Sequence, residues 1–200
     1  MPTGGPYEFT RDWFAEGPAH EWHRVFEGAI GKSDMHFLEI GSYEGASAVW
    51  LIDNVLTGPG RMLTCVDPWA HHPEHPCVDW EAVYARFTRN VAACSQPRIV
   101  RYFKTPSAKM LTDMASMLAA PAYNAIYIDG SHDAADVLRD AVLAWPLLKR
   151  TGLMLFDDYE WTREGGGTNN PKTGIDAFMA AYAGRYEQIV SGYQVGLAKI

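Results

Sequence analysis

The sequence lacks any run of about 18 consecutive apolar residues, so nothing in it reads as a membrane-spanning helix. Cysteine is scarce. Cys65, Cys77 and Cys94 are odd in number and show no CxxC spacing, which argues against a disulfide framework and fits free thiols in a reducing compartment. Basic charge is also in short supply: 17 Lys plus Arg stand against 24 Asp plus Glu, a net charge of −7. A broad basic face is needed to displace counterions from a phosphate backbone, so no nucleic-acid partner is expected. A local basic pocket remains open. The first residues have no basic start followed by an apolar stretch, so no secretory leader is expected, and the expected location is cytoplasmic. There is no internal repeat and no low-complexity tract. With 200 residues the chain suits one compact domain with a substantial core.

What is present is a regular alternation. Apolar runs at 35–41, 61–67, 98–104, 123–130 and 152–158 are separated by stretches with helical spacing at 46–56, 81–94, 107–119 and 133–149. The runs lack polar alternation, the mark of strands buried on both faces of a parallel sheet. After a helix around 174–183, the segments 186–190 and 194–200 flank Ser191, Gly192 and Tyr193 and read as a closing hairpin. The fold predicted is α/β: a Rossmann-like, doubly wound, seven-stranded sheet with helices on both faces and an antiparallel C-terminal hairpin. Ahead of it, Trp22, Val25, Phe26 and Ala29 place an apolar stripe on a helix over 20–30. Residues 1–34 are read as an N-terminal helical extension, packed on the domain at 35–200 or on a second copy in a homodimer.

In open α/β sheets ligands bind beyond the carboxyl ends of the strands. The first such end is Glu39-Ile40-Gly41-Ser42-Tyr43-Glu44-Gly45, where the glycines permit a tight turn and a close helix start. It is not GxGxxG. Glu39 inside the apolar strand is costly unless it is hydrogen-bonded or meets a cationic ligand, and it would repel a pyrophosphate. The second run ends in Asp67, 22 residues past Gly45, a distance at which an acid accepts hydrogen bonds from ribose hydroxyls. A helix-capping acid is the competing reading of Asp67, although Pro68 and Trp69 follow it. Asp129 ends the fourth run and Asp157-Asp158 the fifth, one strand–helix–strand unit later. If those strands are neighbours, their ends lie about 5 Å apart. Carboxylates so close repel unless a cation sits between them, and hard oxygen ligands suit Mg²⁺ or Ca²⁺.

His132, three residues past Asp129, has the ordinary pKa of a general base near neutrality, or is a structural hydrogen-bonder. The histidines of 71–77 lack zinc-site spacing and read as loop. The stretch from Gly165 through Asn169, Asn170 and Pro171 reads as a lid. Asp133, Asp136 and Asp140 read as solvated. Trp69, Trp80, Tyr159 and Trp161 fall in loops beside the cleft and suit stacking on a sugar or an aromatic ring.

Together these residues resemble the class I S-adenosylmethionine-dependent methyltransferases. The stretch Phe37 to Val49 is similar to the first motif of catechol-type O-methyltransferases. The ordered acids Asp67, Asp129 and Asp157-Asp158 are similar to that branch and to macrocin- and novobiocin-type sugar O-methyltransferases. Coverage runs from about residue 36 to 200. The resemblance implies that Glu39, the turn Gly41, Ser42, Tyr43 and Gly45, and Ser47 line the methionine end of S-adenosylmethionine. It places Asp67 at the ribose, Ser107 near the adenine and Asp129 beside the cofactor. It assigns Asp129, Asp157 and Asp158 to Mg²⁺. Catechol-type enzymes carry a lysine where His132 stands and an asparagine where Asp158 stands; sugar-type enzymes often carry an acid where Ser131 stands. The extra carboxylate extends the metal choice to Ca²⁺ or Mn²⁺. The function expected is methylation of a hydroxyl on a small molecule, a sugar or catechol-like diol, with His132 as base. The alternatives are a metal-independent methyltransferase of the same fold, a non-catalytic nucleoside-binding module, or an α/β oxidoreductase.

Overall fold

The computed structural model describes residues 6–11, 13–117, 119–162 and 166–200. In chain order its elements are α1 (Trp13–Glu16), α2 (Ala19–Val25), β1 (His36–Ile40), α3 (Ala46–Asn54), β2 (Met62–Asp67), α4 (Trp80–Ala93), β3 (Val100–Lys104) and α5 (Ser107–Met117). There follow β4 (Tyr123–Ile128), α6 (Ala134–Ala144), β5 (Leu148–Phe156), α7 (Pro171–Ala181), β6 (Tyr186–Val190) and β7 (Val195–Lys199). The seven strands form one sheet in the order β3-β2-β1-β4-β5-β7-β6. The pairs β2–β3, β1–β4 and β4–β5 are parallel, and β7 runs antiparallel to both β5 and β6. This is the doubly wound sheet with an antiparallel tail that the alternating runs predict. Its order reverses between β1 and β4, the topological switch point.

The chain divides into two compact units, one of Met1–Met35 with Ser42–Thr105 and the other of His36–Gly41 with Pro106–Ile200. In the first, Leu63, Cys65 and Val66 of β2 are buried, as are Leu51 and Ile52 of α3 and Val83 and Phe87 of α4. The N-terminal helices belong to this unit. Trp22 is fully buried, with Phe14, Phe26 and Trp50 around it at ring-centroid distances of 4.6, 5.2 and 5.6 Å. Of the apolar stripe, Trp22 and Phe26 are buried and Val25 and Ala29 half-buried, but α2 ends at Val25 rather than at residue 30, and 26–31 wind through turns. Gly28 and Gly31 in that stretch make continuation unfavourable.

In the second unit, Phe37, Leu38 and Ile40 of β1, Ile126 of β4, and Met154 and Phe156 of β5 are buried. Helices α6 and α7 approach so closely at Gly174 that a Cβ there would lie 2.4 Å from the carbonyl oxygen of Ala134. Two expectations are corrected. The helix read over 133–149 stops at Ala144, because Pro146 forces a single 3-10 turn over Trp145–Leu147 before β5 begins. Strands β3 and β6 are the sheet's edges and are largely exposed, with Tyr102, Phe103 and Ile189 reaching solvent, so the apolar run of β3 is not buried on both faces. Among the described residues no helix is long and apolar enough to cross a membrane.

Candidate active site

Register sets up the acidic strand ends. Ile40 pairs with Ile128 and Ile128 with Phe156, so β1, β4 and β5 finish in one row. The row continues one residue further, with Asp129 N–H donating to Ile40 O (2.8 Å) and Asp157 N–H to Ile128 O (3.0 Å). Gly41, Asp129 and Asp157 are thus consecutive across the sheet, about 5 Å per strand. Gly41 has φ +83°, and a Cβ on it would sit 2.0 Å from the Asp129 carbonyl oxygen, so this neighbour of the acids must be glycine.

A residue that sequence reasoning missed joins the two acids. Tyr127 lies two positions before Asp129, hence on the same side of β4. Its buried hydroxyl donates to Asp157 Oδ2 and also lies 3.1 Å from Asp129 Oδ2. One phenol carries one proton, so the Asp129 contact is complete when the Asp129 carboxyl is protonated and donates back. Burial, followed by repulsion from Asp157 and Asp158, pushes Asp129 well above the usual carboxylate range. Asp157 is pushed up to about 6, first by burial and then by Asp158, against hydrogen bonds from Tyr127, the Asp158 N–H and Gln194.

Asp158 adopts φ +59°, a left-handed conformation that few non-glycine residues hold. Its N–H donates to Asp157 Oδ1 (2.8 Å). Its own carboxylate faces His132, with Nε2 3.0 Å from Oδ2, and Oδ1 accepts from the Tyr193 hydroxyl (2.7 Å). The His132 ring stacks on Trp161, 4.3 Å between centroids and 19° between planes. The predicted acids therefore come together as two linked pairs, Asp129–Asp157 on one phenol and Asp158–His132 beside them. Among the described residues no group of three His, Cys, Asp or Glu side chains is arranged to hold a metal ion. The donor chemistry nevertheless fits a hard dication: the oxygens are carboxylate, and their charges are disfavoured by burial and mutual repulsion, which a cation relieves.

This predicts a pH dependence. A carboxyl whose pKa is higher in the folded chain than in the unfolded one binds its proton more tightly when folded. Its stabilising contribution is complete below about pH 4 and is lost as pH rises through about 6. Asp129, Asp67 and Asp140 are shifted in the same direction, and Asp53 in the opposite one. In chelator, wild-type thermal stability is expected to fall between about pH 4 and pH 7, and Asp157→Asn to lessen that fall by up to about 3 kcal/mol. A variant with the wild-type pH slope contradicts the assignment.

The first unit holds the rest of the predicted turn. Ser42 N–H and Tyr43 N–H donate to Asp67 Oδ2 (2.9 and 3.0 Å), and Trp69 N–H donates to Oδ1 (2.6 Å). Burial raises the Asp67 pKa and these three donors oppose the rise. Asp67 does not cap a helix; it fixes the turn, and of the carboxylate's about four lone-pair sites one, on Oδ1, is left for a further donor. Tyr43 is itself left-handed at φ +45°, and its carbonyl accepts from the Trp69 indole N–H (2.8 Å). Gly45, at φ +85°, starts α3 with the Phe87 ring 3.0 Å from where its Cβ would be. Ser47 is buried in α3 and Glu39 is fully buried in β1.

Other predictions are relocated. Ser107 opens α5 and its side chain hydrogen-bonds Asp140, which is buried beside Arg139 rather than solvated. Trp69 is core, 4.6 Å from Phe87 and 4.9 Å from Tyr84 between centroids, and is not available for ligand stacking. Tyr159 donates to Asp176 and accepts from Lys172. In the 71–77 loop, His72 Nδ1 accepts from Glu74 N–H and Cys77 is exposed. Of the proposed lid, Gly165 lies outside the described residues. Asn169 is tied to the start of α6 through Ala134 N–H and Asp133, and Asn170 caps α7 by accepting from Thr173 N–H.

The sheet order is that of a Rossmann-like, methyltransferase-type α/β fold, and the comparisons with known proteins agree with it. A family described as "Methyltransferase domain" matches residues 38–159, more than half of the chain, and the chain belongs to that family. No curated protein sequence matches it significantly. Among solved structures it is similar to the MycE methyltransferase of the mycinamycin biosynthetic pathway, in complex with Mg, SAH and mycinamycin VI. The TM-score is 0.61 at 16% identity, over 96% of this chain and 50% of that one. It therefore spans half the length of that enzyme. It is also similar to an O-methyltransferase from Bacillus cereus in complex with SAH (TM-score 0.58, 18% identity, 82% and 74% covered). A third likeness is to a putative rRNA-methylase from Clostridium thermocellum (TM-score 0.63, 15% identity, 92% and 97% covered). At these identities the likeness is one of fold.

Proposed function

We propose that the protein transfers a methyl group from S-adenosylmethionine to a hydroxyl of a small molecule, assisted by a divalent cation. The observation that carries this reading is the pair of strand-end acids on one phenol, Asp129 and the buried Asp157, with the His132–Asp158 pair beside them. Family membership and the SAH-bound neighbours of the same fold support the donor. Glu39, Gly41, Ser42, Tyr43, Gly45, Ser47, Asp67, Ser107 and Asp129 are the residues proposed to hold it. A sulfonium donor supplies an electrophilic methyl group, which leaves the chain chiefly the work of alignment. Asp129, Asp157 and Asp158 would hold Mg²⁺, Ca²⁺ or Mn²⁺, which supplies charge to lower a hydroxyl pKa and orient it.

His132 takes the acceptor's proton. Its Nε2 contact with Asp158 favours the imidazolium that results, and Trp161 fixes the plane of the ring. Tyr193 holds Asp158 from the other side, so the base is oriented by the C-terminal hairpin. A sugar or catechol-like diol suits two neighbouring acceptor oxygens. The acidic composition makes a nucleic acid the less favoured acceptor.

A second reading follows from the same geometry. Asp158 is already engaged by His132 and Tyr193, and Asp129 and Asp157 share Tyr127, which would suit a metal-independent enzyme whose acids hold substrate or water. The test is methyl transfer from labelled S-adenosylmethionine to a panel of hydroxylated acceptors, in excess chelator and in added Mg²⁺. Activity that appears only with the cation supports the first reading. Equal rates in both select the second.

A further inference from the structure

The conformation of the Ser42–Gly45 turn is held from an unexpected direction. Glu44 sits between two left-handed residues, Tyr43 and Gly45, and is almost fully buried. Its carboxylate accepts from Arg86 of α4 and, by both of Thr10's donors, from the N-terminal segment: N–H to Oε2 (2.6 Å) and hydroxyl to Oε1 (2.9 Å). Asn90, also on α4, extends the connection. Its amide nitrogen donates to the carbonyls of Glu44 (2.8 Å) and Glu8 (2.9 Å), while its oxygen accepts from Glu8 N–H (2.9 Å). Tyr7 donates to Asp53 of α3, and the Trp13 ring lies 5.4 Å from that of Tyr43. Residues 7–10 thus form a strap with one hydrogen bond to α3, two to α4 and two to the turn, and a Glu8–Arg89 ion pair (3.6 Å) adds to the hold on α4.

A buried ion pair is a poor source of stability, because desolvation offsets most of the attraction; fixing one geometry is the use it suits. The geometry at stake is costly. Tyr43 at φ +45° persists only because its surroundings over-determine it, through Asp67 at its N–H, Trp69 at its carbonyl and Glu44 following it. We propose that Glu44 is a positioning residue for the cofactor turn and that the N-terminal strap, acting through Thr10 and Asn90, sets it. This rests on the S-adenosylmethionine reading and adds to it: the strap is part of the binding machinery, although none of its residues need touch the ligand.

The test is calorimetric titration of the full chain with S-adenosylhomocysteine for wild type, Thr10→Val, Thr10→Ser and Glu44→Gln, with thermal unfolding of each recorded without ligand. Thr10→Val and Glu44→Gln are expected to weaken binding about tenfold, and Thr10→Ser, which keeps the hydroxyl, to stay within about twofold of wild type. Thr10 is exposed, so its valine variant reports even if Glu44→Gln fails to fold. Binding unchanged in Thr10→Val despite a lowered melting temperature overturns the proposal and leaves the methyltransferase reading standing. A wild type that does not bind S-adenosylhomocysteine overturns that reading, and the strap's role with it.

Discussion

Asp157→Asn is expected to lower methyl transfer by about a thousandfold or more while leaving affinity for S-adenosylhomocysteine within a few-fold of wild type. The amide has the shape of the carboxylate and can still accept from Tyr127, but its nitrogen then faces the Asp158 N–H, so the strand end keeps its shape and loses a charge and one hydrogen bond. That charge is one the fold bears at a disadvantage: Asp157 is buried, next to Asp158 and one strand from Asp129. A group kept ionised against such opposition has a compensating use, and holding a cation beside the acceptor is the one that fits. Single-turnover measurement with labelled donor and saturating Mg²⁺ separates the chemical step from binding. A rate within tenfold of wild type would remove Asp157 from the reaction. Tyr127→Phe is the companion experiment, since it keeps both acids and removes the phenol between them.

Gly41→Ala is expected to have the largest effect on folding, about 4 kcal/mol or more. Two penalties fall on the same atom. The backbone there is left-handed, and the new methyl group would lie 2.0 Å from the Asp129 carbonyl oxygen and 2.6 Å from the Gly130 Cα. All of these are main-chain atoms, so relief requires β1 and β4 to part where the acids are placed. Gly184→Ala isolates the first penalty, for it is equally left-handed at φ +80° but meets nothing within 4 Å, and about 1 kcal/mol is expected there. Denaturant midpoints of the two variants give the comparison. Equal losses would mean that the close approach at Gly41 carries no weight.

Much of this was readable in the residues themselves. Buried strands are apolar runs whatever their neighbours, so β1, β2, β4 and β5 stand out, and acids that end such runs are conspicuous. Tyr127 did not stand out, because a tyrosine inside an apolar run looks like core; the period of two between it and Asp129 was the available signal. Glu44 could have been questioned as an acid in an apolar turn, but its partners Thr10 and Arg86 are 34 and 42 residues away, and only the folded chain brings them to it. Asp140 follows the same rule: helical spacing puts it beside solvated acids, whereas Ser107 and Arg139 make its burial tolerable. Trp69 looked like a stacking platform because it follows a strand end, yet its position over Phe87 makes it interior.

The phenol of Tyr127 ties two positions of the chain into one heritable unit. Because it leaves the same side of β4 as Asp129 and reaches across to β5, any exchange at one of the three residues changes the proton inventory of the other two. Variation at these sites is therefore epistatic by construction. A library seeking new acceptors or new ions has to randomise 127, 129 and 157 together, since the single-step neighbours of the present sequence leave an unmatched donor or an unmatched charge at the strand end.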